Sequence, residues 1–299
     1  MTMPNFIVLG AGKAGTQSIY NYLMEHPDIY MSPTKETNFF ALNGEQPNFQ
    51  GPPDPINQYS IADLDEYQAQ FKGVTTEKAI GEISPLYLYS PLAPQRIKET
   101  LPNAKLIVIL RNPVDRAYSC YLFMRARLTE TITDFDDALK AEQERIDKNW
   151  PWPWHYKSLG FYYEQLQRYY QLFEPDQIKI YLYDDFKAND VGVMQDMFGY
   201  LGVDDTFVPD MSLKYNFSGL PKNKILQYVL TGPNPIQTVL KPLMPTKLRR
   251  KLVSKIKKKN LTRPSLQPEV RQQLVDAYRE ETLKLQKMLD RDLSHWLQV

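Results

Sequence analysis

The run Phe6-Ile7-Val8-Leu9-Gly10-Ala11-Gly12-Lys13-Ala14-Gly15-Thr16-Gln17-Ser18 decides how this chain folds. Four apolar residues make a short buried strand, the glycine-rich stretch makes a tight turn, and Ile19, Tyr20 and Leu23 continue as an apolar-periodic helix. Strand, glycine turn and helix in that order form a phosphate-binding loop. Glycines let the backbone approach an anion, and the free N–H groups at a helix start point at it. Lys13 adds a full positive charge, and Thr16 and Ser18 add hydroxyl donors.

This loop is not a Walker A sequence, which closes on Gly-Lys-Ser/Thr; here the lysine stands two residues before Gly15. Nucleoside triphosphatases also carry a strand-end Asp that holds magnesium. The second strong apolar run, Leu106-Ile107-Val108-Ile109-Leu110, ends in Arg111 instead. A guanidinium there repels a metal and attracts a phosphate, so the pattern predicts a nucleotide held without magnesium and no metal site. Asn112-Pro113 then turns the chain into a helix, with proline in the first turn where its missing N–H is not needed. Ser119 lies eight residues after Arg111, about two turns along that helix, so both can converge on one phosphate.

Together, KAGTQS at 13–18 and LRNPVDRAYSCY at 110–121 resemble the sulfotransferases that depend on 3′-phosphoadenosine-5′-phosphosulfate (PAPS). The resemblance implies an α/β, P-loop-like PAPS sulfotransferase fold with a mainly parallel central sheet flanked by helices. It implies that Lys13, Ala14, Gly15, Thr16, Gln17 and Ser18 hold the 5′-phosphosulfate end of the donor, and that Arg111 and Ser119 hold its 3′-phosphate. Lys35-Glu36-Thr37-Asn38-Phe39-Phe40 is similar to a segment of the carbohydrate-directed branch, which includes heparan sulfate sulfotransferases and bacterial relatives. The acidic residue of that segment is their proposed general base, and Glu36 takes its place. Gly81-Glu82-Ile83-Ser84-Pro85-Leu86-Tyr87 resembles a further segment of those enzymes, with Ile83 where they carry an acceptor-side lysine. Lys222, after Ser218-Gly219-Leu220-Pro221, matches the late basic loop that approaches the 3′-phosphate in similar enzymes. The C-terminal helix and the Asp292–Leu297 stretch look like the close of bacterial members.

The implied reaction moves a sulfuryl group from PAPS to a hydroxyl or amine of a carbohydrate, glycolipid or small molecule, leaving adenosine 3′,5′-bisphosphate. Glu36 and Lys13 are the expected catalytic pair: Glu36 takes the acceptor proton and Lys13 neutralises charge on the bridging and leaving oxygens. Two rival readings stay open at this point. One is an ATP-dependent small-molecule kinase, which magnesium dependence would reveal. The other is a non-catalytic, membrane-surface nucleotide-binding adaptor.

Apolar residues make up 42% and charged residues 24% of the 299 residues, ordinary for a globular chain, and the net charge of +1 argues against general nucleic-acid affinity. The single cysteine, Cys120, excludes an intrachain disulfide, and three scattered histidines give no metal pattern. The first strand begins within five residues of the start and no apolar run approaches the length of a membrane span. A cytoplasmic, bacterial enzyme is the expectation, as one domain over 1–299 with a less regular, basic segment at about 215–265.

Strands are predicted at Phe6–Leu9, Ile29–Met31, Ala79–Glu82, Lys105–Leu110 and Ile178–Tyr183. Helices are predicted at Thr16–Met24, Pro91–Glu99, Pro113–Arg127, Phe135–Asp147, Phe161–Leu172, Val191–Leu201 and Pro268–Leu289. Residues 43–60, rich in Pro, Gly, Asn and Gln, read as a long surface loop. The aromatic–proline stretch 150–155 offers Trp152 and Trp154 as faces for a sugar or a fused-ring acceptor, and His155 as a second acid/base group beside it. Lys247–Lys259 interleaves eight basic residues with apolar ones at helical spacing. It is expected to pack as a solvated helix or to rest on an anionic membrane where a glycolipid acceptor sits.

Overall fold

In the computed structural model the apolar run at the start becomes β1 (Phe6–Gly10), every residue of it buried. Two-sided burial follows from its place in the sheet, paired in parallel with a neighbour on each edge. The structure describes residues 2–42, 44–53, 55–211, 219–223, 226, 256 and 259–299. The cationic run 247–259 therefore lies almost wholly outside the described residues.

After β1 come α1 (Thr16–Leu23), β2 (Ile29–Met31), α2 (Ile56–Tyr59), α3 (Leu64–Ala69), β3 (Ala79–Ile83), α4 (Leu86–Tyr89), α5 (Ala93–Thr100) and β4 (Lys105–Leu110). The second half runs through α6 (Pro113–Ala126), α7 (Phe135–Lys140), α8 (Glu142–Asp147), α9 (Tyr162–Tyr170), β5 (Ile178–Leu182), α10 (Tyr183–Ala188) and α11 (Asp190–Leu201). A short antiparallel ribbon, β6 (Leu220–Pro221) with β7 (Leu261–Thr262), precedes the long α12 (Pro268–Leu289).

The five main strands lie in the order β2-β3-β1-β4-β5, and each neighbouring pair is parallel. The mainly parallel α/β sheet expected from the sequence is thus what forms. From β1 the chain moves toward β2; from β4 it moves the other way, toward β5. The crevice beyond the carboxyl ends of β1 and β4 is the switch point, where ligands of such sheets bind. Each of these two strands delivers there one of the two motifs, 13–18 and 110–121.

All five predicted strands form; β2 and β4 have the predicted ends, and β1, β3 and β5 end one residue from them. Tyr183 leaves β5 and opens α10, which the sequence reading did not anticipate. The single helix expected at Phe135–Asp147 is two, broken at Ala141. Glu142 turns inward there, buried, and accepts from the backbone N–H of Lys157 and Ser158 and from the Ser158 hydroxyl. Satisfying those amides overrides the local helical preference. The stretch 43–60 is not all surface loop either: α2 forms within it and Ile56 is buried.

Candidate active site at the ends of the first and fourth strands

The loop after β1 is shaped by backbone conformation and by close approach. Gly15 adopts φ +94°, and a Cβ there would lie 3.4 Å from the Tyr183 ring. Gly12 passes under Trp152, where a Cβ would stand 3.1 Å from the indole. The chain then enters α1 with no side chain capping its first turn. Amides left uncapped at a helix start are suited to an anion.

Lys13 is half-buried, with Nζ 3.8 Å from the centre of the Phe123 ring. Desolvation lowers its pKa to about 8, with the nearby Arg111 charge acting in the same direction. Lys13 and Glu36 line one cavity of about 140 Å³, together with Thr16 and Gln17. Glu36 is held by its backbone, its N–H donating to Ile83 O at 2.9 Å. Its carboxylate accepts from Lys35 Nζ at 2.6 Å. Phe123 and Met124 add apolar wall, and Arg127 adds a further cation. Cys120 also lines the cavity; burial pushes its thiol pKa up, and the S–H donates to Pro153 O at 3.3 Å.

Arg111 stands just beyond β4, nearly buried. Its Nη1 donates to the Lys13 carbonyl at 3.0 Å and its guanidinium lies 4.9 Å from the Tyr183 ring centre. Tyr162 fixes the Arg111 backbone by donating to its carbonyl at 3.0 Å. Burial lowers the Arg111 pKa from its ordinary value, and Nε has no partner among the described residues. The acid nearest in sequence, Asp115, is held instead by Arg271 at 2.6 Å. A desolvated cation with an unused donor, on a strand end, is a group prepared for an anion.

Asn112 caps α6, its Oδ1 accepting from the N–H groups of Val114 and Asp115. That cap and Pro113 set the direction in which α6 carries Ser119, which is buried. Ala14 is buried in the core and Ser18 is half-buried on α1; neither lines the cavity. Lys222 is exposed on the β6–β7 ribbon, its backbone N–H donating to Asn260 O at 2.7 Å. Arg263, directly after β7, places a positive charge whose field reaches Arg111.

The aromatic–proline stretch divides. Trp152 lines the cavity, nearly buried, and its indole N–H has no partner among the described residues. Trp154 is placed differently from expectation: it is fully buried, edge-on to Trp150 with centroids 5.7 Å apart. A ring with no exposed face cannot stack on an acceptor. His155 is likewise committed to structure. Its Nε2–H donates to Trp150 O at 3.1 Å, Nδ1 accepts from the Tyr89 hydroxyl at 3.2 Å, and burial lowers its pKa. Neither residue lines the cavity. Ile83, the departure from the carbohydrate-type pattern, is fully buried at the end of β3.

Sequence reasoning missed Tyr59, Phe123, Arg127, Tyr183 and Arg263. Phe123 and Arg127 fall at helical spacing from Ser119 on α6 or at its end, a signal that was available. Tyr59, Tyr183 and Arg263 reach the region only through tertiary folding.

A family model described as "Sulfotransferase domain" matches residues 4–289. A sulfotransferase of known structure from Alicyclobacillus acidocaldarius is 32% identical, covers all of both chains and superposes with a TM-score of 0.79. Among curated proteins, "Membrane-associated sulfotransferase kil1" of Dictyostelium discoideum is 36% identical over 126 residues, 41% of this chain and 23% of that protein. "Bifunctional heparan sulfate N-deacetylase/N-sulfotransferase 1" of Xenopus tropicalis is 27% identical over 96% of this chain and 30% of its own length. The chain thus spans less than a third of the length of these curated relatives. By the family match and the full-length structural likeness, the chain belongs to the sulfotransferase-domain family.

Proposed function

We propose that the cleft transfers a sulfuryl group from PAPS to a hydroxyl or amine of a carbohydrate, glycolipid or small-molecule acceptor. The observation that carries this reading is the meeting of Lys13 and Glu36 on one cavity while Arg111 is tied to the Lys13 carbonyl. In this reading the uncapped start of α1, Lys13 and the Thr16, Gln17 and Ser18 groups take the 5′ end of the donor. Arg111 and Ser119 take the 3′-phosphate, with Lys222 reaching it from the ribbon. Trp152 borders the acceptor.

The acceptor oxygen or nitrogen attacks sulfur in line, its proton passes to Glu36, and the bond from sulfur to the bridging oxygen breaks. The leaving bisphosphate oxygen gains the charge that Lys13 neutralises. Positioning and charge stabilisation supply most of the acceleration in such transfers.

Calorimetric titration with adenosine 3′,5′-bisphosphate, beside 5′-AMP and Mg-ATP, tests the donor half. Metal-independent binding that requires the 3′-phosphate supports it; equal or tighter binding of Mg-ATP overturns it in favour of a kinase. Transfer of labelled sulfate from PAPS to N-desulfated heparan sulfate, a glycolipid and 4-nitrophenol then sorts the acceptor classes. Heparan sulfate appears in the name of one set of relatives, and a carbohydrate is accordingly the first acceptor to try.

The cationic run 247–259 gives the proposal a second part, peripheral attachment to an anionic bilayer; one relative is named a membrane-associated sulfotransferase. Among the described residues no helix is long and apolar enough to cross a membrane. Co-sedimentation with phosphatidylserine vesicles, lost when the run is neutralised, is the matching test. A bacterial cytoplasm as the setting belongs to the same proposal.

A further inference from the structure

Glu82, near the end of β3, is completely buried, yet among the described residues no cation pairs with it. Four hydroxyls surround it instead. Thr37 Oγ1 and Ser84 Oγ donate to Oε2 at 2.5 and 2.9 Å, and the Tyr67 and Tyr87 hydroxyls donate to Oε1 at 2.7 and 2.9 Å. Burial raises the Glu82 pKa, and the hydrogen bonds from Thr37, Tyr67, Ser84 and Tyr87 oppose that rise. An isolated buried carboxyl is costly unless its oxygens are satisfied. An apolar residue would fill this position in the sheet more cheaply, so the carboxyl calls for a reason.

The four donors come from four places: the segment after β2, α3, the end of β3, and α4. Thr37 is the informative one, because it sits between Glu36 and Asn38. Both flanking residues have left-handed backbone, φ 67° and 56°. For residues other than glycine such conformations cost on the order of 1 kcal/mol each, so the surroundings must impose them. Further bonds pin the same turn: the Glu36 N–H to Ile83 O at 2.9 Å and the Asn38 N–H to Ser84 Oγ at 3.1 Å on the β3 side, and the Ile61 N–H to Thr37 O at 2.8 Å and Asn38 Nδ2 to Ser60 Oγ at 2.9 Å on the other. The anchors on the β3 side lie within two residues of Glu82, and Glu82 itself takes the Thr37 and Ser84 hydroxyls.

We propose that Glu82 is the positioning residue for Glu36: by gripping the Thr37 and Ser84 hydroxyls it holds the strained 36–38 turn and presents the Glu36 carboxylate to the Lys13 cavity. The inference rests on the reading of Glu36 as the base. Glu82 touches neither donor nor acceptor; it acts through the turn.

The test compares the wild-type chain with Glu82→Gln and Thr37→Val. Three measurements are made on each: amide hydrogen exchange, the ¹³C chemical shift of the Glu36 carboxyl at fixed pH, and calorimetric binding of adenosine 3′,5′-bisphosphate. Local release of the turn predicts exchange at Glu36, Thr37 and Asn38 at least ~10-fold faster while β1 and β4 keep their protection. It also predicts a moved Glu36 carboxyl chemical shift, because the hydrogen bond from Lys35 is rearranged when the turn is released. Bisphosphate affinity should stay within about twofold, since loop 11–15 and Arg111 are untouched. Unchanged exchange and an unchanged Glu36 carboxyl shift in both variants overturn the proposal. If Glu82→Gln loosens the whole sheet, Thr37→Val decides alone, because it removes one hydroxyl and keeps the carboxyl. Loss of bisphosphate binding in the wild type would instead sink the donor reading, whatever the exchange pattern shows.

Discussion

Arg111 Nη1 donates to the carbonyl oxygen of Lys13 at 3.0 Å, so the two donor motifs, nearly a hundred residues apart in sequence, are one mechanical unit. The bond closes the switch-point crevice from the β4 side. It fixes Lys13 by its backbone and leaves the ammonium to be placed by the Phe123 ring. One donor of the arginine thus shapes the loop, while in the proposed reading its charge also takes the 3′-phosphate.

Arg111→Ala should weaken adenosine 3′,5′-bisphosphate binding by ~10- to 100-fold, the range for losing one charge-assisted contact. Binding of 5′-AMP, which lacks the 3′-phosphate, should fall far less. Arg111→Lys should recover part of the charge but not the fork that also reaches the Lys13 carbonyl. Calorimetry on the three proteins separates the two duties of Arg111. Equal losses for both nucleotides would assign it to loop shape alone.

The lowered pKa of Lys13 makes donor binding pH-dependent near neutrality. Free Lys13 loses its proton at about 8. A bound anion favours the charged form and raises that value, so binding takes up a proton above pH 8. Affinity should be full below about 8 and fall by up to about tenfold per pH unit above it, until the bound pKa is reached. Folding stability of the unliganded protein runs the other way. Burial disfavours the ammonium, so stability rises as pH climbs from about 8 toward the ordinary lysine value. Calorimetry in buffers of different ionisation enthalpy reads the proton uptake directly. Lys13→Arg, charged at all accessible pH values, should erase the inflection.

What was legible in the sequence was local. Strand, glycine turn and helix at 6–23, and strand, Asn-Pro turn and helix at 105–126, are each encoded by neighbours along the chain. Their convergence followed because parallel strands put successive turns on one edge of the sheet. The Glu82 cluster was not legible: its partners at 37, 67, 84 and 87 meet only after folding. Trp154 and His155 illustrate the same gap. Nothing local separates Trp152, which borders the cavity, from Trp154 two residues on, which packs against Trp150 and the α12 side of the core. Arg263 stands alone in sequence and acquires meaning only when the ribbon brings it toward Arg111.

Glu36→Gln should keep the shape of the turn and lose the proton acceptor. Bisphosphate binding is expected to stay near wild type, while turnover on any acceptor the wild type sulfates falls by ~10²- to 10⁴-fold, the usual worth of a general base. A variant with full turnover would remove Glu36 from the chemistry and leave Lys13 with positioning alone.

Gly12 and Trp152 give the sharpest geometric test of how the donor loop meets the acceptor wall. A Cβ at position 12 would lie 3.1 Å from Trp152 Cζ3 and 3.4 Å from Cη2, tighter than a comfortable carbon contact. Gly12→Ala must therefore push the loop or the indole by a few tenths of an ångström. An overpacked contact of this kind costs ~1–3 kcal/mol, and the loop side of the displacement should appear as weaker bisphosphate binding. Trp152→Phe removes the outer ring that carries both contacting atoms, so it makes room for the new methyl. The double variant should then recover donor affinity lost in Gly12→Ala, with a coupling of ~0.5–2 kcal/mol in a cycle of calorimetric binding constants. Additive losses would mean that the loop and the indole move independently, and that Trp152 does not support the loop from the acceptor side.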